Sequence, residues 1–303
     1  MSWRVIDLTT FEGKLIYQRG HLKVTRHDST ESALVNLKQV GVILCGSHVS
    51  LSGGLLLKLS ELGISLLVTD WKGVPVGALQ SWSNHTRVGA RQIAQSQLSL
   101  PRAKSAWASI VKAKVMGQAQ VQKAIGNPAA AQKLLTLARS VRSGDPANIE
   151  GHAARVHWQN FVRDIPFTRN FQSSDPLNSC LNYGYTILRG YCIRSILQSG
   201  LWPALGVFHH GRSNAFNLAD DLIEPFRPVV DHIVSQFPTE ATLTDPSTKR
   251  ALAGVAETIF LSDGSVVSTA MTEMARCFGK YVEGDLQRFT APIWSGPRAI
   301  EGP

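Results

Sequence analysis

The stretch VGVILCGSHVSLSGGLLLKLSELGISLLVTD, Val40 to Asp70, changes its hydrophobic pattern twice along its length. Val40 to Leu44 is a short unbroken apolar run of the kind a fully buried strand requires, and Ser65 to Thr69 is a second one. Between them, Ser52 can cap a helix whose apolar face is Leu55, Leu56, Leu59 and Leu62. Gly63 stands where the left-handed residue that ends such a helix belongs. Upstream, Leu15, Ile16 and Tyr17 run into Arg19-Gly20 and re-emerge as Leu22 and Val24, a hairpin signature. Downstream, WKGVPVGAL from Trp71 predicts one more hairpin. The chain therefore begins with a small β-rich domain carrying one helix, residues 1–84.

From about Thr86 the spacing turns helical, with long stretches rich in Ala, Gln, Leu, Lys and Arg. Turn signals at Gly126-Asn127-Pro128, Asp145-Pro146 and Asp175-Pro176 punctuate it. A mostly α-helical second domain over residues 85–290 is expected, joined to the first near Gln80 to Asn84. The Pro- and Gly-rich residues 291–303 read as an extended or mobile tail. The fold class is α+β.

A chain of 303 residues with 44% hydrophobic content has material for two cores. Its apolar runs are far too short to cross a bilayer, and MSWRVIDLTT lacks the core of a signal peptide, so a cytoplasmic protein without membrane contact is expected. Cys45, Cys180, Cys192 and Cys277 lack CxxC spacing, which points to buried thiols and away from a zinc ribbon or a disulfide framework.

The formal charge is +9, and it is unevenly placed. From Trp71 through Gly144 there is no acidic residue, while Lys72, Arg87, Arg91, Arg102, Lys104, Lys112, Lys114, Lys123, Lys133, Arg139 and Arg142 all fall inside. Such a segment repels itself unless a polyanion or the acidic remainder of the fold lies against it, and phosphate backbones are abundant polyanions. Arg87, Arg91, Lys104, Lys112 and Lys114 are the candidate DNA contacts. A solvated helical face is the bland alternative.

Three segments put polar groups on otherwise apolar helices. In NIEGHAARVHW, Asn148 to Trp158, Asp145 or Asn148 can cap a helix whose first turn holds Glu150. Gly151, Ala153 and Ala154 around it permit close approach of another helix or a phosphate backbone. In SSDPLNSCLNYGYTILRGY, Ser173 to Tyr191, Asp175-Pro176 starts a helix bearing Asn178, Asn182, Tyr183 and Tyr185, whose amides and phenols need partners when buried. In FHHGRSNAFNLADDLIEPFRP, Phe208 to Pro228, two histidines precede Asp221 and Glu224, one helical turn apart. A histidine with carboxylates can hold a divalent cation, and an exposed acidic face with a salt bridge to Arg227 is the plain alternative.

These three segments, together with the N-terminal pattern, resemble CRISPR-associated protein one, the spacer integrase of the CRISPR adaptation module, and most of all its type II members. The resemblance covers nearly the whole chain. It implies an N-terminal β-sandwich-like domain and a helical catalytic domain. It also implies that Glu150, His209 and Glu224 are catalytic metal ligands, with Asp221 a further acidic position at the same site. His210 as the imidazole and Asp221 in place of Glu224 stay open. Asn178 and Tyr183 match the family's polar core motif as supporting residues. His157 stands where relatives commonly have tyrosine.

The activity so implied is metal-dependent phosphodiester transfer. A 3′ hydroxyl of a double-stranded fragment attacks the CRISPR repeat, aided by Mg²⁺ or Mn²⁺, with DNA bound independently of sequence. The resemblance further implies a homodimer formed through the N-terminal domains and a small ferredoxin-like adaptation partner. In a type II system it also implies the effector nuclease. Two other readings compete: a stand-alone metal-dependent nuclease acting on branched DNA, and a non-catalytic DNA-binding scaffold.

Overall fold

The computed structural model describes residues 4–70, 75–79, 81, 85–162 and 167–297. In chain order the N-terminal elements are β1 (Arg4–Leu8), β2 (Gly13–Gln18), β3 (His21–Arg26), β4 (Ser32–Asn36), β5 (Val40–Cys45), β6 (Val49–Leu51), α1 (Gly53–Glu61), β7 (Ser65–Thr69) and β8 (Pro75–Leu79). Helices follow: α2 (Val88–Ser96), α3 (Leu100–Ala124), α4 (Pro128–Ser140), α5 (Ile149–Gln159), α6 (Pro176–Gln198), α7 (Asn217–Leu222), α8 (Arg227–Ser235), α9 (Pro246–Ala253) and α10 (Val267–Glu283). The molecule is a small β unit followed by a larger helical one, as expected from the sequence.

Two four-stranded sheets build the β unit, ordered β1-β5-β7-β8 and β4-β3-β2-β6. The expected hairpin is β2–β3, which pairs Gln18 with His21 around Arg19 (φ 46°) and Gly20 (φ 84°). Two successive positive φ values match the right-handed twist of the flanking strands, and glycine meets that demand without a Cβ clash. Helix α1 begins where Ser52 accepts from the Leu55 amide at 3.3 Å, and Gly63 (φ 62°) terminates it. β8 pairs antiparallel with β7, whereas the Trp71 to Val74 part of that expected hairpin, and all of the expected Gln80–Asn84 connection but Ser81, lie outside the described residues.

The unbroken apolar runs have a structural cause. β5 and β7 are central, parallel neighbours, and alternate side chains leave opposite faces of their sheet. Ile43, Cys45 and Leu66 join the core of the β unit with Leu15, Leu22, Leu55 and Leu59. Val42, Leu44 and Leu67 join the helical core instead. The sheet is thus a layer shared by both cores. Helix α6 lies directly on it: a Cβ on Gly190 would come within 3.0 Å of both Leu67 and Val42. Hydrophobic burial on both faces, about 1.5–3 kcal/mol for each large side chain, holds the two units together.

Residues 291–297 of the tail are extended but anchored. Trp294 is fully buried and donates Nε1–H to the Ile259 carbonyl at 3.3 Å, while the Ser295 amide donates to the Phe260 carbonyl at 2.9 Å. Residues 298–303 lie outside the described part. Among the described residues no helix is long and apolar enough to cross a membrane.

Candidate metal and phosphate site

Glu150 is placed by a doubly capped helix start. Asp145 accepts from the amides of Ile149 and Glu150, each at 2.9 Å, and Asn148, in the left-handed region at φ 49°, accepts from the Gly151 amide at 3.2 Å. Both expected caps therefore act. A Cβ on Gly151 would meet the Asn148 side chain at 2.7 Å, so this glycine makes room for the cap.

The loop before α7 is organised by Asp221, which is fully buried. Its Oδ2 accepts from the amides of Val207 (2.5 Å) and Phe208 (2.9 Å), and its Oδ1 accepts from the His209 amide (3.2 Å). The His209 ring Nδ1 lies 2.6 Å from the same Oδ1. This hydrogen bond, helped by the negative charge, outweighs burial and raises the His209 pKa above the ordinary value. With Nδ1 engaged, Nε2 is the ring nitrogen left for another partner. His210 is exposed. Phe208 is 47% exposed and stacks on buried Trp107 of α3 with centroids 4.3 Å apart and planes at 3°.

Asp221 and Glu224 do not share one charge. Past the end of α7, Glu224 opens a single 3₁₀ turn through Phe226, and this redirects its carboxylate. Arg227 Nε donates to Oε1 at 2.7 Å, and Lys114 Nζ lies 2.5 Å from Oε2. The same Lys114 Nζ donates to Glu150 Oε1 at 2.5 Å. A single ammonium, on a side chain 12% exposed, thus joins the first and last of the predicted ligands. Burial acts to raise the Glu224 pKa, but Arg227 and Lys114 overcome it and hold the carboxyl at about 2. Burial likewise opposes the charge on Lys114, and Glu224 and Glu150 outweigh it, so its pKa is raised.

The donor chemistry suits a hard divalent cation. Two carboxylates meet at one positive centre, and the enclosed Glu224 Oε2 has no donor aligned with it despite the nearby ammonium. Glu150 and Glu224 could hold such an ion between them, with His209 Nε2 a candidate third donor, whereas both oxygens of Asp221 are taken up by the loop it organises. Among the described residues no three His, Cys, Asp or Glu side chains are already gathered closely enough to hold a metal. Lys114 stands between two of them.

Behind this centre runs a polar network that gives the amides and phenols of α6 their partners. Arg227 lies over the Tyr185 ring, 4.5 Å from its centroid, and the Tyr185 hydroxyl donates to Asp231. Asp231 also meets Nε2 of the fully buried His157 at 3.1 Å. Asn178 accepts from Arg169 at 2.7 Å and from the Asn170 amide at 2.9 Å, tying the start of α6 to the preceding loop. Tyr183 points elsewhere: its hydroxyl donates to Asp7 of β1 at 2.7 Å. Tyr185, one of the phenols that the sequence marks as needing a partner, finds it in Asp231, whereas nothing in the sequence singles out Asp231 or Trp107.

The predicted DNA contacts separate into two groups. Lys104 and Lys112 are exposed. Arg87 is largely exposed and pairs with Glu283 at 3.0 Å. Arg91 is buried, 2.5 Å from Glu283 and 2.6 Å from the Ser199 carbonyl. Lys114 is turned inward to the two glutamates. A cleft of about 550 Å³ opens elsewhere, beside Gly126, Asn160, Leu177 and Phe237, and is lined by none of the centre's residues.

The family model for CRISPR associated protein Cas1 matches residues 7–262. The CRISPR-associated endonuclease Cas1 of Neisseria meningitidis serogroup C is 38% identical over 257 residues, covering 83% of this chain and 82% of its own. Among solved structures, a casposase bound to integration product superimposes with a TM-score of 0.72 at 19% identity, over 100% of this chain and 96% of that one. A chain of a Cas6-RT-Cas1–Cas2 complex gives a TM-score of 0.74 at 18% identity, over 96% of this chain and 36% of that longer one. At such identities the structural likeness is one of fold.

Proposed function

This chain belongs to the CRISPR-associated Cas1 family, and from that premise we propose that it is a divalent-cation-dependent DNA integrase that inserts short fragments of foreign DNA into a CRISPR array. The observation that carries this reading is the meeting of Glu150 and Glu224, from distant parts of the chain, at the Lys114 ammonium, with Glu224 near enough for its charge to act on His209. In the reaction, a fragment 3′ oxygen forms a bond to phosphorus in the repeat strand while the bond from that phosphorus to its own 3′ oxygen breaks. The hydroxyl proton leaves the attacking oxygen, and the departing oxygen takes one up, so one phosphodiester replaces another.

Glu150, His209 and Glu224 would hold Mg²⁺ or Mn²⁺, which supplies charge neutralisation at the phosphate and acidifies the attacking hydroxyl. Asp221 keeps the His209 ring oriented, and Arg227 keeps Glu224 ionised. Exposed Lys104 and Lys112, with Arg87, offer phosphate contacts that read no base, as acceptance of many fragments requires. Asn178 supports the site at one remove by holding Arg169. We extend the reading to a homodimer working with a small ferredoxin-like adaptation partner, in keeping with the fold shared with a chain of a Cas1–Cas2 complex. The type II effector nuclease belongs to the same expectation.

Strand transfer of a labelled fragment into repeat DNA tests the proposal. Glu150→Gln and His209→Ala are expected to abolish transfer while DNA binding survives; transfer at the wild-type rate by either variant overturns it. The relatives carry the name endonuclease, which favours nuclease action as the second reading; branched DNA is the substrate we infer for it. A fragment with a blocked 3′ end separates the two, because attack by water tolerates the block and strand transfer does not.

A further inference from the structure

Lys114 Nζ is 2.5 Å from Glu150 Oε1 and 2.5 Å from Glu224 Oε2, so it fills the space that a cation must occupy to touch both carboxylates. Its backbone has little freedom to withdraw. One turn further along α3, a Cβ on Gly117 would already lie 2.8 Å from Pro228 Cγ, so helix α3 is pressed against the start of α8. The mobile part is the side chain, a flexible four-carbon stem. Lys114 and Arg227 balance Glu150 and Glu224 in charge, which leaves this partly buried cluster neutral as it stands. Replacing the ammonium between the carboxylates by a doubly charged ion makes the cluster positive, and the released ammonium then lacks an anion. Enclosed charge of that kind is unfavourable until a counter-charge arrives.

We propose that Lys114 is an internal counter-ion that competes with the divalent cation for Glu150 and Glu224, and that once displaced it binds a phosphate of the DNA, so that cation and DNA bind with positive coupling. The inference rests on the integrase reading for the nature of the cation and the nucleic acid. It makes Lys114 a positioning residue in the free protein and a phosphate contact in the loaded one. The site is then guarded: without DNA the ammonium opposes metal uptake, and with DNA it has a better place to go. By linkage, the factor by which DNA tightens cation binding equals the factor by which the cation tightens DNA binding.

Mn²⁺ titration of the full-length protein by calorimetry, with and without a duplex carrying 3′-deoxy ends, tests this directly. Lys114→Met is expected to bind Mn²⁺ about tenfold more tightly than wild type in the absence of DNA, and to lose most of the DNA-dependent tightening shown by wild type. Equal Mn²⁺ affinities and equal DNA effects in the two proteins overturn the inference. A second measurement needs no variant: acetylation of Lys114 by acetic anhydride, followed by mass spectrometry, should rise several-fold when Mn²⁺ is added without DNA. Unchanged or reduced labelling overturns it as well. Mn²⁺ binding that is lost in Glu150→Gln yet identical in wild type and Lys114→Met sinks the role of Lys114 alone. Mn²⁺ binding unaffected by Glu150→Gln sinks the integrase reading of the site and this inference with it.

Discussion

His209 Nδ1 stands 2.6 Å from Asp221 Oδ1, and the same carboxylate gathers the amides of residues 207 to 209. One buried side chain thereby sets both the path of the loop and the plane of the imidazole. A residue that orients another in this way acts on function through geometry.

Asp221→Asn is expected to lower stability by about 1–3 kcal/mol, because an amide offers one acceptor where the carboxylate offers two, and its NH₂ opposes buried N–H groups. Strand transfer should fall about 10- to 100-fold with DNA affinity retained. Urea denaturation and the transfer assay measure the two effects; wild-type behaviour in both would show that the loop does not depend on this carboxylate.

Gly206 is packed against the same loop. A Cβ there would lie 2.2 Å from the His209 carbonyl oxygen, and backbone cannot step aside as a flexible side chain can. Gly206→Ala should therefore destabilise the protein by about 1–3 kcal/mol and displace His209. Thermal unfolding together with transfer activity checks this, and an unchanged Tm with full activity contradicts it.

Arg227 joins Glu224 to the network beneath it, through its Nε contact and its position over the Tyr185 ring. Arg227→Met leaves a buried carboxylate with Lys114 as its remaining cation, for an expected loss of about 3 kcal/mol. Arg227→Lys should recover only part of this, since an ammonium lacks the planar fork that bonds and stacks at once. Equal stability of the Lys variant and wild type would refute the stacking contribution.

Asp7 links the β unit to the helical unit, accepting from the Thr9 amide (3.0 Å) and hydroxyl (2.7 Å), from Tyr183 (2.7 Å) and from Lys249 (3.2 Å). Burial would raise the Asp7 pKa, but the bonds from Thr9 and Tyr183 and the charge of Lys249 prevail and leave it lowered. A carboxyl with a depressed folded-state pKa stabilises above its unfolded value, 3.8, and that contribution disappears as pH falls through the folded value. The Tm difference between wild type and Asp7→Asn should be full at pH 6 and shrink below about pH 4. A difference that stays constant from pH 6 to pH 3 would rule out the ionised carboxylate as its source.

Much of the β unit was legible because its signals are local. Arg19-Gly20 must turn, Ser52 must cap and Gly63 must end a helix whatever surrounds them, and the runs around Val42 and Leu67 demand burial on both faces. The tail was legible only in part. Its Pro and Gly content points to an extended segment, the form that residues 291–297 take, yet the burial of Trp294 depends on a groove supplied by residues around Ile259.

In the site, the residue types and the start of the Glu150 helix follow from the chain itself, since Asp145 and Asn148 lie within a few residues of the amides they cap. The partner of each charge does not. Within the acid-free basic segment, Lys104 and Lys112 face solvent while Arg91 turns to Glu283 and Lys114 to Glu150 and Glu224. Composition sets how many cations a helix carries, but the direction of each is decided by which acids the packing of distant helices delivers against it. The placing of Lys114 between Glu150 and Glu224 is therefore a property of the tertiary structure: Coulomb attraction across a buried gap acts over a few ångströms, and only folding brings those three side chains that close.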